Sequence, residues 1–528
     1  MITILSKFLK KPKLKRKFII DFRPKLIKLP EIKDKKQIDI IYPLLPPFAY
    51  ARIFWDTKTK QLVYFLKEPK LTKQEQEQLT IIKQALVELI NVSYVKASEA
   101  NVLIPYLERN VNFIINELRL HIGDESYQKI MYYLYRDFVG LNEIEPLMAD
   151  YFIEDIECNG AGYPLYVVHR KYRSIRTNIT IKDTKYLARF VEKLAQKCGK
   201  YVSFADPILD GSLPDGSRVN ATYTIDITTR GPTFTIRKFT REPWSPIDLM
   251  NLGTASAEIF AYIWLTVQNR FNTIVIGETG SGKTTFLNAL LAFVPPEVRI
   301  VSIEDTRELN LIHSNWLPAV TRPGIGTPDI EGKRYGEVSL FYLLKETFRQ
   351  NPEYVVVGET RGPETYVLFQ GMASGHPSFS TFHAKDIHSL IRRLETPPIN
   401  LSASLIGTLD VVIALTHQKD GKINKRRLRE LDEIIEVKET IGNIRYNRLF
   451  EWDPFGDTFK QQPSSFVLQQ INKLTGISME ELALEYKRRV KLLKIMQHRK
   501  ITNFDNFTKI VSLYYKDPSF VLKNFGIE

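Results

Sequence analysis

The chain has 528 residues, of which 44% are hydrophobic and 25% charged, with a formal net charge of +14. That length exceeds one ordinary core and predicts about three units at about 100 to 200 residues per domain. The mix is that of a soluble globular protein and excludes long disordered stretches. No run of about 18 uncharged apolar residues occurs, and the opening MITILSKFLKKPKLKRK lacks the apolar centre of a signal peptide, so a cytoplasmic chain without a membrane span is expected.

The first 36 residues carry 13 Lys or Arg against 3 Asp or Glu, a net of +10, which leaves +4 for the other 492. The excess is therefore mostly a basic tail, residues 1–36. Such a tail suits a solvated arm, an anchor for anionic lipid or an acidic partner, or a nucleic-acid arm. The two cysteines, Cys158 and Cys198, lie far apart and form no C-x-x-C pair, so neither a disulfide framework nor a cysteine zinc site is supported.

After the tail, IDIIYPLLPPFAYARIFWD and QLVYFLKEP read as strands around a proline turn, and helical patterns follow from about 73 to 138. A short helix, a Gly-rich turn and a strand hairpin then lead to DGSLPDGSRVNATY and TFTIRKF, so residues 37–239 read as a separate α+β domain. TREPWSPIDLMNLG, with its prolines and breakers, reads as a connector over 240–254. From 255 onward NTIVIG, RIVSIED, EYVVVGE, SFSTFHA and LDVVIAL are short apolar strands separated by helical or loop segments, the signature of an α/β unit with a parallel sheet. The stretch from SSFVLQQ to the end reads as helical, and the whole of 255–528 as one domain.

The first of these strands runs into GETGSGKTTF, which meets the G-x-x-x-x-G-K-[ST] pattern through Gly277, Gly282, Lys283 and Thr284. Strand, glycine loop and helix in that order let successive N–H groups converge on phosphate oxygens at a helix N-terminus. Gly277, Glu278, Thr279, Gly280, Ser281, Gly282, Lys283, Thr284 and Thr285 are the expected nucleotide cradle, with Lys283 a charge near the outer phosphates and Thr284 the hydroxyl on magnesium. ATP and Mg2+ are the expected cofactors. Hydrolysis needs a carboxylate to orient water, and Glu359 at the end of YVVVGE is placed where parallel sheets bind ligands. Gly358 occupies the position where an aspartate would assist the metal.

Two further clusters stand out in the second half. SIEDTREL ends a strand with Glu304 and Asp305, and ASGHPSFSTFHA holds His376 and His383. The histidines share no helix face and lack a third ligand, so they are read as polar sensors near phosphate rather than as a zinc site.

This ordered set, GETGSGKTT, IEDTREL, VVVGETRGPET and GHPSFSTFHA, resembles the secretion ATPases of type II secretion and type IV filament systems. IEDIECNGAGYPLYVVH, DGSRVNA and IRRLETPP resemble the archaeal branch, which includes the archaellum motor ATPase and archaeal pilus assembly ATPases; the likeness spans about 140–528. It implies a homo-hexameric ring in which a RecA-like motor domain follows an N-terminal domain, working on a polytopic membrane platform protein at the inner face of the cell membrane. It also implies that Glu359 is the catalytic glutamate, that Glu304 and Asp305 form an acidic box and His376 and His383 a histidine box, and that Arg218 and Arg237 of the N-terminal domain reach the phosphates. The family's bacterial four-cysteine zinc motif is missing here.

Two other functions compete. In a DNA-transfer or DNA-translocating ATPase of the same superfamily the tail would contact phosphate backbone, but a body charge of only +4 disfavours nucleic acid. A catalytically inactive, nucleotide-gated binding module is disfavoured by intact Lys283 and Glu359.

Overall fold

The computed structural model describes residues 17–22, 24, 29, 34–89, 100–239, 243–322, 324, 334–420, 423–439 and 442–527. The chain divides into two compact units, residues 1–239 and 240–528.

The first unit is built on a nine-stranded sheet. Its strands are β1 (Asp39–Leu45), β2 (Ala49–Asp56), β3 (Gln61–Lys67), β4 (Ile153–Cys158), β5 (Pro164–His169), β6 (Arg173–Thr180), β7 (Ile208–Ser212), β8 (Arg218–Thr222) and β9 (Thr233–Arg237). They run in the order β1-β2-β3-β6-β5-β4-β9-β8-β7, antiparallel except where β3 meets β6. That parallel join is only two residue pairs long, and Asn178 extends it by accepting from Leu66 N at 2.7 Å and donating to Leu66 O at 3.1 Å. Alternation along β6, β8 and β9 buries every second residue and leaves the other face polar, as expected of a sheet solvated on one side. The helix Thr184–Lys197, capped by Asp183, covers the apolar face with Leu187, Phe190, Val191 and Leu194.

The basic tail is shorter than the sequence suggested. Phe18 and Leu29 are buried in the first unit's core, and Phe18 stacks on Phe48 with ring centroids 5.6 Å apart. The boundary drawn at 36 is therefore corrected: the unit begins by Lys17, because burying these two side chains outweighs the exposure preference of the charges around them. Residues 1–16 lie outside the described residues. The 240–254 stretch, read as a connector, holds the helix Pro246–Asn251, opened by a Ser245–Asp248 capping box, with Ile247, Leu249 and Met250 in the second unit's core.

In the second unit the strands are β10 (Thr273–Gly277), β11 (Ile300–Glu304), β12 (Trp316–Val320), β13 (Tyr354–Thr360), β14 (Ser378–Phe382), β15 (Val411–Asp420), β16 (Ile423–Val437), β17 (Ile444–Asp453) and β18 (Thr458–Gln461). Their order is β12-β11-β13-β14-β10-β15-β16-β17-β18. The first six are parallel, and β10, β11 and β14 are buried along their full length, which is why they read as unbroken apolar runs. Side chains alternate between two cores. Val275, Val356 and Ile413 pack with the helices Ala257–Gln268 and Met479–His498, while Ile276, Val357 and Val412 pack with Glu364–Ala373 and Ile387–Glu395. The expected α/β class with a parallel sheet, preceded by an α+β unit, is the observed one. Strands β16 to β18 add an antiparallel meander that the sequence reading passed over between LDVVIAL and the C-terminal helices.

Candidate functional site

Residues from four strands meet at the C-terminal edge of the parallel sheet. β10 ends at Gly277, where a Cβ would lie 2.5 Å from Ser281 Oγ and 2.7 Å from Leu415 O, so no side chain fits. The loop turns through Glu278, Thr279 and Gly280, all exposed, and buried Ser281, to Gly282, whose φ of +94° caps the helix Lys283–Leu291 in the left-handed region that glycine tolerates. Thr284 is half-buried and Thr285 exposed on the first turn. Lys283 is buried, and its Nζ donates to Gly277 O at 3.1 Å and Glu278 O at 3.2 Å. Burial pushes the pKa of this ammonium down, against the pull of Glu359 and Glu308.

β14 lies beside β10 with Phe382 opposite Ile276, which delivers the next residue, His383, to the cradle. Its Nδ1 is 3.4 Å from Lys283 Nζ and its Nε2 is 3.0 Å from Glu359 Oε1. An ammonium only donates, so Nδ1 accepts and Nε2–H donates to the carboxylate. Burial and the Lys283 charge lower the His383 pKa, with Glu359 opposing, which keeps that neutral tautomer in place at pH 7. Glu359 is aimed by an irregularity in the β13–β14 register between Val357 and Thr360, where Gly358 O accepts from Thr381 Oγ1 at 2.7 Å.

Gly358 has a reason beyond the missing aspartate. A Cβ there would lie 3.0 Å from Glu304 Cγ, so the neighbouring strand's carboxylate stem fills the space. Glu304 is buried. Its Oε1 accepts from the amides of Glu308 and Leu309, both at 2.9 Å, while Oε2 is buried with no partner among the described residues. Burial raises its pKa to about 7. Asp305, one residue on, is exposed and pairs with Arg361 at 3.2 Å.

His376 is not at this edge. It precedes β14 whereas His383 follows it, and an extended strand separates residues seven apart by about 23 Å. Its ring meets Phe348 edge-on at 5.1 Å, and its Nδ1 is buried without a partner among the described residues. The expectation that both histidines stand near phosphate is corrected for His376, because strand geometry puts the two at opposite ends.

Arg218 and Arg237 belong to the first unit, where they are register partners on β8 and β9. Both are exposed on the polar face. Arg218 pairs with Asp210 at 3.2 Å and Arg237 with Asp155 at 3.2 Å. Two basic residues that the sequence reading passed over also belong to the second unit's edge: Arg361, in TRGPET, and Arg426, whose Nε donates to Gly280 O at 3.0 Å. The signal for Arg426 was the alternation in INKRRLREL, which marks a strand with arginines on both faces.

Lys283, the helix N-terminus behind it, a carboxylate and a neutral histidine form a site able to bind a polyphosphate and to hold a water against it. A family described as Type II/IV secretion system protein matches residues 140–448. An uncharacterized protein of Methanocaldococcus jannaschii is 34% identical over 536 aligned residues, 95% of each chain. The type IV secretion system protein PtlH of Bordetella pertussis is 28% identical over 324, covering 55% of this chain and 93% of its own. Among solved structures, the ATPase DotB of Legionella pneumophila is 15% identical with a TM-score of 0.38, over 68% of this chain and 90% of that one. With more than half its length inside the family match and an archaeal relative along nearly all of it, the chain belongs to the type II/IV secretion system protein family.

Proposed function

We propose that this protein is an ATPase that hydrolyses ATP to ADP and phosphate, and that as a homo-hexamer it powers assembly of an archaeal type IV pilus-like filament or archaellum. The observation that carries the reading is the meeting of Lys283, His383 and Glu359 at the sheet edge beside the glycine loop. Phosphoryl transfer to water needs positioning and charge more than covalent chemistry from the protein. Lys283 and the loop amides would bind the outer phosphates. Glu359, held by His383, would accept a hydrogen bond from the attacking water, whose oxygen bonds to the γ-phosphorus as the bond to the ADP oxygen breaks. Arg218 and Arg237 would complete the charge around the transferring group, in a role where one arginine contributes about a thousandfold or more in related loop-bearing NTPases.

The Thr284 hydroxyl and the Glu304 carboxylate are oxygen donors, which suits magnesium. Thr284 would hold the ion, and Glu304, whose buried Oε2 has no partner among the described residues, is the carboxylate nearest in kind to the one missing at Gly358. Bound there, magnesium would neutralise phosphate charge.

The platform partner is a polytopic membrane protein, approached from the cytoplasmic face. Among the described residues no helix is long and apolar enough to cross a membrane, and peripheral association with the inner face of the cell membrane is part of this proposal. Steady-state ATP hydrolysis at two salt concentrations, with and without DNA, tests the reading. Turnover that is indifferent to DNA supports it, DNA-stimulated, salt-sensitive turnover favours a DNA-translocating motor, and no turnover in any arm sinks the enzyme.

A further inference from the structure

Arg426 and Arg427 are neighbours on β16 and reach opposite ways. Arg426 is exposed, and its Nε donates to the carbonyl of Gly280 in the middle of the glycine loop at 3.0 Å. Arg427 is buried. Its Nε and Nη2 form a two-pronged pair with Asp457 at 2.8 and 2.9 Å, and its Nη1 donates to Leu252 O at 2.8 Å. Lys425 and Trp452 bond the same Asp457 carboxylate at 2.9 and 3.0 Å, and the amide of Leu428 donates to Thr254 O at 2.7 Å. The strand that presents Arg426 is thus fixed through Asp457 and through the carbonyls of Leu252 and Thr254, whereas the loop it touches is exposed from Glu278 to Gly280.

We propose that Arg426 is a positioning residue for the phosphate loop, acting through the Gly280 carbonyl and backed by the Arg427–Asp457 pair. The physical argument is the geometry of a trans peptide, in which carbonyl and N–H point in opposite directions. A guanidinium that holds the Gly280 carbonyl on the β16 side turns the Ser281 N–H back toward the loop, where that amide now bonds Glu278 O at 3.2 Å. Gly280, with φ of +76°, has no side chain to restrain this peptide plane, so an external clamp replaces what local sterics cannot supply. A loop already shaped binds phosphate without an ordering cost at the moment of binding.

This inference rests on the reading of residues 277–285 as a nucleotide cradle, and its test separates the two. Hydrogen exchange of the nucleotide-free protein over 277–286 is compared for the wild type, Arg426→Ala, Arg426→Lys and Asp457→Asn, together with ADP affinity and turnover at saturating ATP. Arg426→Ala is expected to speed loop exchange about tenfold and weaken ADP binding about tenfold, with maximal turnover within about threefold of wild type. Arg426→Lys, which still donates to a carbonyl, should recover most of both, and Asp457→Asn should move both in the same direction by less. Loop exchange unchanged in Arg426→Ala and Asp457→Asn overturns the proposal, as does normal exchange with lost turnover, which would make Arg426 a charge acting on phosphate. A wild-type protein that bound no ADP would remove the nucleotide reading, and the exchange comparison would still decide this one.

Discussion

In the first unit Arg218 and Arg237 stand on the open face of a mostly antiparallel sheet, Arg218 paired with exposed Asp210 and Arg237 with partly buried Asp155. In the second, Lys283, Glu304, Glu359 and His383 gather at one edge of a parallel sheet, and the first two are buried. The contrast follows from topology. Parallel strands all end on the same edge, so residues a hundred positions apart in the chain, such as Lys283 and His383, come within hydrogen-bonding distance there. An antiparallel sheet solvated on one face displays its charges without enclosing them. Groups at the enclosed edge are coupled to one another and to the fold. The two arginines lie on the exposed face in surface ion pairs, which contribute little to stability, so a change in rate on removing them reports function.

Substitution at the enclosed edge should have the largest effects. Glu359→Gln is expected to keep nucleotide affinity within a few-fold and to lower turnover by about a hundredfold or more, because the carboxylate acts on water and the ground-state phosphates are held elsewhere. Lys283→Ala should instead weaken ATP binding by about a hundredfold, read by titration with a fluorescent nucleotide. Turnover of Glu359→Gln close to that of the wild type would remove Glu359 from the mechanism.

Next in size is removal of residues 1–36 compared with removal of 1–16. The longer deletion takes Phe18 and Leu29 out of the first unit's core and should cost about 3 kcal/mol or more of stability, seen as an early thermal transition. The shorter one should leave the transition where it is. Equal transitions for both would mean that residues 17–36 add nothing to the core.

Glu304 gives an effect of about the same size that depends on pH. Its folded pKa of about 7 exceeds the usual carboxylate value, so between about pH 4.5 and 7 the folded state binds more protons than the unfolded one and stability falls as pH rises. Glu304→Gln removes this term, on the order of 3 kcal/mol. Denaturation at pH 5 and pH 8 should show a smaller drop in the variant; parallel drops would mean that Glu304 is not held protonated.

Arg218→Ala and Arg237→Ala sharpen the comparison most directly. Each should lower turnover about tenfold or more while changing stability by less than about 1 kcal/mol, since exposed ion pairs contribute little. Unchanged rates in both would leave these arginines as sheet-face ion pairs. The smallest expected effect is that of the 1–16 deletion on ATP turnover, which should stay within about twofold. Its effect should fall on binding to anionic liposomes, where each basic residue near the surface adds about 1 kcal/mol; co-sedimentation equal to that of the full chain at low salt would show a solvated arm.

Much of this protein was legible in local pattern. The glycine loop, the apolar runs that became β10, β11, β13, β14 and β15, and Glu359 at a strand end are decided by short-range chemistry: backbone angles only glycine takes freely, β-branched runs that must be buried on both faces, and a helix N-terminus after a strand. Even the separation of His376 from His383 was implicit, because an extended SFSTF cannot bring its two ends together. Other features were decided only by tertiary structure. Glu304 fills the space over Gly358, Arg426 clamps Gly280 from 146 residues away, and Phe18 leaves a basic tail for the first unit's core. Each depends on which strands pair and in which register, a choice made by long-range packing that no window of neighbouring residues contains.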